Sequence, residues 1–359
     1  MASSEKTGLT YADSGVSIEE GDRFASLIRQ HMRRTHGPRV LSNDGGFAGL
    51  LRLDFNEKLF KRNYRDPVLV SCTDGVGTKI RIALDMQKFD TIGIDLVAMN
   101  VNDLVVEGAE PLLFLDYIAA NKVVPEQLEQ VVRCIAEACR TCDAALLGGE
   151  TAEMGDMYRE GDIDLAGFAV GVLELDRAID TDRVEPGDIV IGLASDGVHS
   201  NGYSLVRAIV REAGLDLNAV YPELDEAMTL GEVLLTPTRL YAPAITALLK
   251  NYKVKKVISG MAHITGGGLG GNLDRALHDG VDARIKEGSW TVPPVFGFLQ
   301  QRGGIDDAEM DRVFNMGIGY CLIVRPNFAS SVTRQLEKAG ETVFEIGEIV
   351  AGSGTVRIG

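Results

Sequence analysis

One stretch of the sequence decides the fold prediction, Val68-Leu69-Val70-Ser71-Cys72-Thr73-Asp74-Gly75-Val76-Gly77-Thr78-Lys79. Its apolar first half is typical of a strand, and the run stops at an acid, two glycines and a lysine. Glycine lets the backbone approach anionic oxygens closely, so the turn suits a phosphate, with Asp74 as a Mg²⁺ ligand and Lys79 as a neutralising cation. An ordinary strand-to-helix turn with a solvated lysine is the alternative interpretation.

A second polar group is predicted on the helix that follows, at about residues 91–108. Asp95, Met99, Asn102 and Asp103 occupy positions i, i+4, i+7 and i+8, which places them on one helix face. Their neighbours are mostly apolar, so this face is expected to be partly buried, where carboxylates require cations or hydrogen-bond donors. Mg²⁺ is one such partner, and a polar stripe hydrogen-bonded between packed elements is the alternative.

Two glycine-rich segments carry further polar groups. In Gly148-Gly149-Glu150-Thr151-Ala152-Glu153-Met154, a double-glycine turn is predicted to present two carboxylates and a hydroxyl after an apolar strand. The composition of an anion cradle ahead of a helix is found in His263-Ile264-Thr265-Gly266-Gly267-Gly268-Leu269-Gly270-Gly271-Asn272. No motif fits the standard P-loop pattern, and the strict dinucleotide-binding pattern is absent from the sequence.

Predicted strands and helices alternate along the chain, which indicates an α/β or α+β fold. Strands are expected at 68–73, 112–117 and 165–173, and helices at about 20–35, 91–108 and 125–142. The charged stretch 174–187 is the predicted junction between a domain spanning 1–175 and a domain spanning 176–359. The glycine-rich segment 42–49 is a candidate lid.

A later strand echoes the first motif. It enters Asp196-Gly197-Val198, again an acid followed by Gly-Val, but has no counterpart of Lys79. It continues as His199-Ser200-Asn201-Gly202-Tyr203-Ser204, whose serines and asparagine suit a turn and a helix cap. Without further context, a solvent-exposed loop histidine is the simpler interpretation of His199.

Composition excludes several classes of protein. The 359 residues include 36 basic and 52 acidic side chains, a formal charge of -16, which disfavours general attraction to nucleic acid or an anionic membrane. No apolar run approaches the ~18 residues needed to span a bilayer, and no signal peptide is recognised, so a cytoplasmic protein is expected. The five cysteines lack paired metal spacing, which favours reduced thiols.

Five motifs, taken in order, resemble the AIR synthetase (phosphoribosylformylglycinamidine cyclo-ligase) family of purine biosynthesis. They are Thr73–Lys79, Asn102–Val105, Gly148–Met154, His199–Ser204 and His263–Gly268, within a resemblance that extends from Tyr11 to Gly347. Two turns depart from the family pattern. Gly155-Asp156 stands where Pro-Gly is expected, and Asp196-Gly197-Val198 replaces a Ser-Gly-containing approach to His199.

The resemblance implies an ATP-dependent ring closure that converts formylglycinamidine ribonucleotide to 5-aminoimidazole ribonucleotide, with release of ADP and phosphate. An amide carbon is a poor electrophile, so ATP first phosphorylates the amide oxygen; the amidine nitrogen then attacks the carbon and phosphate leaves. ATP and Mg²⁺ are the implied cofactors, and a small phosphoribosyl compound is the implied substrate.

The resemblance also implies four sets of site residues. The metal ligands are Asp74, Asp103 and Glu150. The residues of the ATP and Mg²⁺ site are Thr73, Asp74, Gly75, Gly77, Thr78, Lys79, Asp95 and Asn102. Among them, Asp95 and Asn102 are second-tier metal ligands or groups that hydrogen-bond to the ligands. The substrate contacts are Thr151, Glu153, His199, Ser200, Asn201, Gly266, Gly267 and Gly268. The catalytic groups are Lys79, Glu150, His199 as a proton-transfer group, and His263, which would orient phosphate or stabilise the phosphorylated intermediate.

A homodimer is implied as well, in which the N-terminal sheets form a shared β-barrel with ATP near the interface, and a C-terminal α/β layer faces the substrate. Three other functions fit parts of the chain. A small-molecule kinase of the same superfamily leaves the Glu150 and His199 motifs unexplained. A selenophosphate synthetase needs an N-terminal reactive cysteine, whereas the first cysteine of this chain is Cys72. A catalytically inactive nucleotide-binding scaffold would have lost the acids and Lys79, which are all present.

Overall fold

The computed structural model describes residues 18–42, 48–54, 63–252 and 254–359. Residues 11–16, where the resemblance begins, and 43–47, the centre of the candidate lid, lie outside these ranges. The described chain forms two halves, each built on its own sheet, and confirms the predicted mixed α/β class. None of its helices combines the length and the apolar character needed to cross a bilayer, and the cytoplasmic location stays a prediction.

The N-terminal half consists of a four-stranded sheet, a small hairpin and helices. The helices are α1 (Ile18–Arg33), α2 (Ile80–Met86), α3 (Ile92–Val106) and α4 (Pro125–Thr141), and the strands are β1 (Val40–Leu41), β2 (Leu50–Leu51), β3 (Pro67–Gly75), β4 (Glu110–Ala120), β5 (Ala145–Glu153) and β6 (Ile163–Glu174). The main sheet has the order β3-β6-β4-β5, in which only β4 and β5 are parallel. All six elements predicted here from the sequence are confirmed.

The double glycine lies inside β5, so the predicted turn is wrong. The strand runs through Gly148 and Gly149 and stays paired with β4 as far as Glu153. A Cβ at Gly149 would lie 2.4 Å from a carboxyl oxygen of Asp116 on β4, so the Asp116 side chain occupies the space that any other residue would need. The glycine therefore admits a neighbouring side chain and does not bend the backbone.

The C-terminal half is built on a six-stranded sheet. Its helices are α5 (Tyr203–Glu212), α6 (Leu230–Leu234), α7 (Ala242–Asn251), α8 (Gly270–Leu273), α9 (Pro294–Gly303), α10 (Asp307–Val313) and α11 (Ala329–Lys338), and its strands are β7 (Ile189–Ala194), β8 (Ile258–His263), β9 (Val281–Ile285), β10 (Ile318–Val324), β11 (Val343–Ala351) and β12 (Val356–Ile358). The order is β12-β9-β11-β7-β10-β8, antiparallel except for β12 and β9. Every residue of β8 and β10 is buried, so this part of the sheet is covered on both faces.

Helix α3 lies between the two halves. It is apolar on nearly every side, and most of its residues are buried, as expected for a helix enclosed by protein. One side packs on β3, β6 and α4, and another meets β8 and α7 of the C-terminal half. A single apolar core therefore extends from Leu96 and Phe114 to Tyr241 and Tyr320. Asp95, Asn102 and Asp103 of α3 face the junction between the halves.

Candidate functional site at the domain cleft

Two carboxylates and a histidine meet where the halves join. Asp74 ends β3, Asp103 lies on α3, and His263 ends β8, with His263 Nδ1 2.8 Å from Asp103 Oδ1. Partial burial raises the pKa of Asp74; the nearby Asp103 raises this pKa further, and His263 lowers it. Burial also raises the pKa of Cys72 to about 12, and both carboxylates contribute. The cleft thus concentrates negative charge that a cation would relieve.

The motif after β3 reaches across this cleft. Gly77 has φ +68°, a conformation that favours glycine, and it begins a 3₁₀ turn that leads into α2. Gly75 N–H donates to Asp74 Oδ1 at 2.8 Å, and Thr78 Oγ1 lies 3.3 Å from Ser204 Oγ on α5. Gly75, Gly77 and Thr78 therefore lie at the cleft edge, and their contact with ATP stays a prediction.

Thr73 faces away from this cleft. Successive residues of a strand point to opposite faces, so Thr73 lies on the other side of β3 from Asp74. It pairs with Phe168, and its hydroxyl donates to Gly167 O at 2.8 Å. This placement argues against contact of Thr73 and Asp74 from one chain with the same ATP molecule.

Lys79 is fully buried. Its ammonium donates to Asp95 Oδ1 at 2.9 Å, to His199 O at 2.7 Å and to Thr236 O at 2.8 Å. An ammonium has three N–H donors, and all three are used. This arrangement argues against the predicted contact of Lys79 with ATP phosphates and against the alternative of a solvated lysine.

The polar face of α3 divides into two parts. Asp95 is fully buried and accepts hydrogen bonds from C-terminal residues, and Asn102 donates to Arg239 O at 2.9 Å and accepts from Tyr241 N at 3.0 Å. These two residues fit the alternative of a polar stripe between packed elements and not the second-tier metal role. Only Asp103 is exposed, with 47% of its side-chain area accessible.

His199 is buried, not solvent-exposed. Its Nε2 accepts a hydrogen bond from Asp196 N at 3.2 Å, and burial holds the pKa of the imidazole well below its usual range. The ring is therefore neutral near pH 7, the form that can accept a proton, and its proton-transfer role stays a prediction. Sequence reasoning missed Arg239, whose guanidinium holds Asp196 at 2.8 Å and Glu341 at 2.7 Å, because its partners are distant in sequence.

The glycine turn after His263 faces the loop that follows His199. The Asn201 side-chain oxygen lies 3.6 Å from the position of a Cβ on Gly266, so these two predicted substrate residues are neighbours. Asn272 Nδ2 donates to Gly268 O at 2.8 Å and fixes the turn. In the described part of the chain, the exposed Gly266 and Gly267 N–H groups have no hydrogen-bond partner and can receive an anion.

Glu150, Thr151 and Glu153 lie elsewhere. They belong to β5, at the opposite edge of the sheet from β3, and the three intervening strand spacings put Glu150 about 14 Å from Asp74. Within one chain, Glu150 therefore cannot share a metal ion with Asp74, and its role as a metal ligand stays a prediction. No group of three or more His, Cys, Asp or Glu side chains suited to a metal is found among the described residues.

Glu150 instead lines a cavity of about 1270 Å³ beyond the edge of β5. Asp116, Arg29 and Arg33 line it too, together with Ser42 and Ala48 at the two described ends of the candidate lid. Burial raises the pKa of Asp116 to about 7. Sequence reasoning missed Asp116, although an acid inside the apolar run Leu112–Tyr117 was the available signal.

Comparison with known proteins identifies the family. The N-terminal domain model of AIR synthase related proteins matches residues 61–173, and the C-terminal domain model matches 185–359. A phosphoribosylformylglycinamidine cyclo-ligase of Geobacillus kaustophilus is 49% identical over 96% of this chain and 96% of its own. The chain belongs to the phosphoribosylformylglycinamidine cyclo-ligase family. The family resemblance seen in the five motifs is thereby confirmed, while the domain boundary at 175/176 stays a prediction.

Other cyclo-ligase relatives and solved structures agree. The enzyme of the same name from Caldanaerobacter subterraneus is 48% identical over 97% of this chain and 99% of its own. Thiamine-monophosphate kinase from Stenotrophomonas maltophilia superposes with a TM-score of 0.65 at 17% identity, covering 92% of this chain and 95% of that one. Hydrogenase maturation protein HypE in complex with ATP gives 0.61 at 16% identity, covering 94% and 90%. These two structures share the fold of the cyclo-ligase family.

Proposed function

We propose that the chain catalyses the ATP-dependent cyclisation of formylglycinamidine ribonucleotide to 5-aminoimidazole ribonucleotide, with release of ADP and phosphate. The relatives that match along nearly the whole chain carry the name of this reaction. The observation that carries the proposal in the structure is the cleft itself. It brings together the Asp74 and Asp103 carboxylates, His263, and the turn after His263, where the Gly266 and Gly267 amides have no hydrogen-bond partner among the described residues.

Asp74 and Asp103 fit a Mg²⁺ ion that arrives with a nucleotide. Mg²⁺ is commonly held by one or two carboxylates, with phosphate oxygens and water completing its shell. Burial and the nearby Asp103 raise the pKa of Asp74, and a divalent cation between the two carboxylates would offset both effects. When bound, the ion would neutralise charge on the transferring phosphoryl group.

The other residues of the cleft have separate roles in this proposal. The His263 side chain is only 3% exposed and its Nδ1 lies 2.8 Å from Asp103 Oδ1, so its role is to fix the Asp103 carboxylate in the cleft. The amides of Gly266, which lies beside Asn201, and of Gly267 have no partner within the described ranges, and they suit the phosphate of the ribonucleotide. Ring closure requires the phosphorylated amide carbon and the amidine nitrogen to be held together, and such positioning is the main contribution that a protein makes to phosphoryl chemistry.

The proposal includes a homodimer that closes the N-terminal sheets into one barrel. The outer face of this sheet leaves Leu69 at 61% exposed and Tyr117 and Phe168 at 41% each, a large apolar surface for a monomer. Joining edge β3 of one subunit to edge β5 of the other would remove both free edges. Glu150 of the partner subunit would then lie near the β3 edge, and so near Asp74, of the first subunit.

The reaction is tested with purified protein, ATP, Mg²⁺ and formylglycinamidine ribonucleotide, by measuring phosphate release and imidazole formation together. Equal amounts of the two products are expected. Steady ADP formation without ring closure would refute the reaction. The shared site is tested separately by mixing inactive Asp74→Asn and Glu150→Gln subunits, because a composite site restores activity in mixed dimers and a site within one subunit does not.

A further inference from the structure

Lys79 and Asp95 connect the two halves of the molecule through their buried side chains. Both belong to the N-terminal half, and the Lys79 ammonium lies 2.9 Å from the Asp95 carboxylate. Its two other hydrogen bonds go to the backbone oxygens of His199 and Thr236, which belong to the C-terminal half. The lysine therefore holds two C-terminal loops at one point.

Asp95 holds the same two loops from the other side. Its Oδ1 accepts hydrogen bonds from Ser200 Oγ at 2.8 Å, and from Thr238 N and Thr238 Oγ1 at 2.7 Å each. Ser200 and Thr238 also lie 2.9 Å apart through their hydroxyls. The loop 199–200 and the loop 236–238 are thus tied to a single ion pair.

The loop held in this way has an uncommon backbone conformation. His199 has φ +63°, in the left-handed region that residues other than glycine seldom adopt. Such conformations persist only when the surroundings enforce them, and the bond from Lys79 to His199 O is one such constraint. The next residues, Ser200 and Asn201, lead to the substrate side of the cleft.

Stability alone does not account for this pair. Both side chains are fully buried, and desolvating two charges costs several kcal/mol per ion, so well-packed apolar residues are commonly as stable as a buried ion pair. The geometric effect is specific, since the pair fixes residues 199–201 relative to the turn that carries Asp74.

We propose that Lys79 and Asp95 are positioning residues that fix the 199–201 loop against the Asp74–Lys79 motif. The substrate is thereby held in the correct orientation relative to the nucleotide. This inference rests on the proposed function of the cleft. It replaces a direct phosphate contact by Lys79 with an indirect role through the loop.

The test compares Lys79→Met, the double variant Lys79→Met/Asp95→Asn, and Lys88→Met as a matched control. Lys88 also pairs across the halves, with Glu232 at 3.2 Å, but both side chains are about one-third exposed. Lys79→Met should lower kcat by about 100-fold, as expected when reacting groups are misplaced, and leave the Kd of a non-hydrolysable ATP analogue within about twofold. It should also speed amide hydrogen exchange at 196–202, whereas Lys88→Met should change none of these quantities.

The double variant separates positioning from folding. It removes the uncompensated carboxylate that Lys79→Met leaves behind, so part of the lost Tm should return, but the loop stays unheld and activity should not recover. Activity that returns together with Tm would overturn the proposal, and so would a Kd for the ATP analogue raised as much as kcat falls. Wild-type protein without ring closure would refute the proposed reaction alone, because hydrogen exchange at 196–202 still decides the positioning role.

Discussion

Asp116 should make the protein less stable as the pH rises from about 4 to 7. Burial raises its pKa from 3.8 to about 7, so in this range the folded protein binds more protons than the unfolded chain. Stability then falls with rising pH, and above pH 7 the loss is complete. A difference of about three pH units, at ~1.4 kcal/mol each, sets an upper limit of about 4 kcal/mol, since Asp116 lines a cavity and its side chain is only partly buried.

Replacing Asp116 by Asn removes this charge while nearly conserving shape. Relative to wild type, the free energy of unfolding of Asp116→Asn should rise by about 2 to 3 kcal/mol between pH 5 and pH 8, because the wild-type carboxyl ionises and the amide does not. Urea unfolding at pH 5, 6, 7 and 8 measures both proteins under the same conditions. Asp85→Asn, at an exposed position on α2, controls for the loss of a negative charge.

The control should differ from wild type by a nearly constant amount at all four pH values. If the Asp116→Asn and wild-type curves also stay parallel, the carboxyl is ionised throughout the range in the folded state. The account of the β5 cavity as a poorly solvated site for Asp116 would then be wrong.

Three further predictions concern the cleft and the sheet. Gly149→Ala should lower the free energy of unfolding, measured by heat or urea, by about 1–3 kcal/mol, because its Cβ would lie 2.4 Å from the Asp116 carboxyl. Gly148→Ala is the matched control, since its Cβ would lie 3.6 Å from Leu115. Equal losses in the two variants would contradict this reasoning. Asp103→Asn should raise the Mg²⁺ concentration needed for half-maximal ATP-dependent activity about tenfold or more, and an unchanged Mg²⁺ titration would exclude it as a ligand. Phe168→Glu should convert a dimer to monomers in light scattering, and an unaltered mass would place the interface elsewhere.

The sequence predicted the longer helices and strands of the N-terminal half because their signals are local, whereas the short elements α2, β1 and β2 were not predicted. An apolar run ending in Asp-Gly marks the end of β3, and 3.6-residue periodicity with Pro125 marks α4. The prediction of a turn at Gly148 and Gly149 was wrong because a glycine pair is as consistent with a strand that leaves space for a neighbouring side chain as with a turn. The choice depends on Asp116, which lies on another strand.

The site could be predicted only in part, for the same reason. Asp103 and Lys79 each belong to a recognisable motif, yet one is exposed and the other fully buried. What decides the role of Lys79 is its contact with His199 and Thr236, which are 120 and 157 residues away in sequence. No spacing rule reports contacts of that kind, since they arise only when the two halves pack.

The position of α3 also bears on how the chain is made. Its apolar surface is shared between the two sheets, and the side that meets β8 and α7 is supplied by residues that leave the ribosome some 135 to 160 positions later. At a synthesis rate of about 5–20 residues per second, this surface of α3 stays exposed for on the order of ten seconds or more before β8 and α7 can pack on it. Helix α3 therefore presents an apolar surface to premature association during synthesis, and its packing joins the folding of the second half to that of the first.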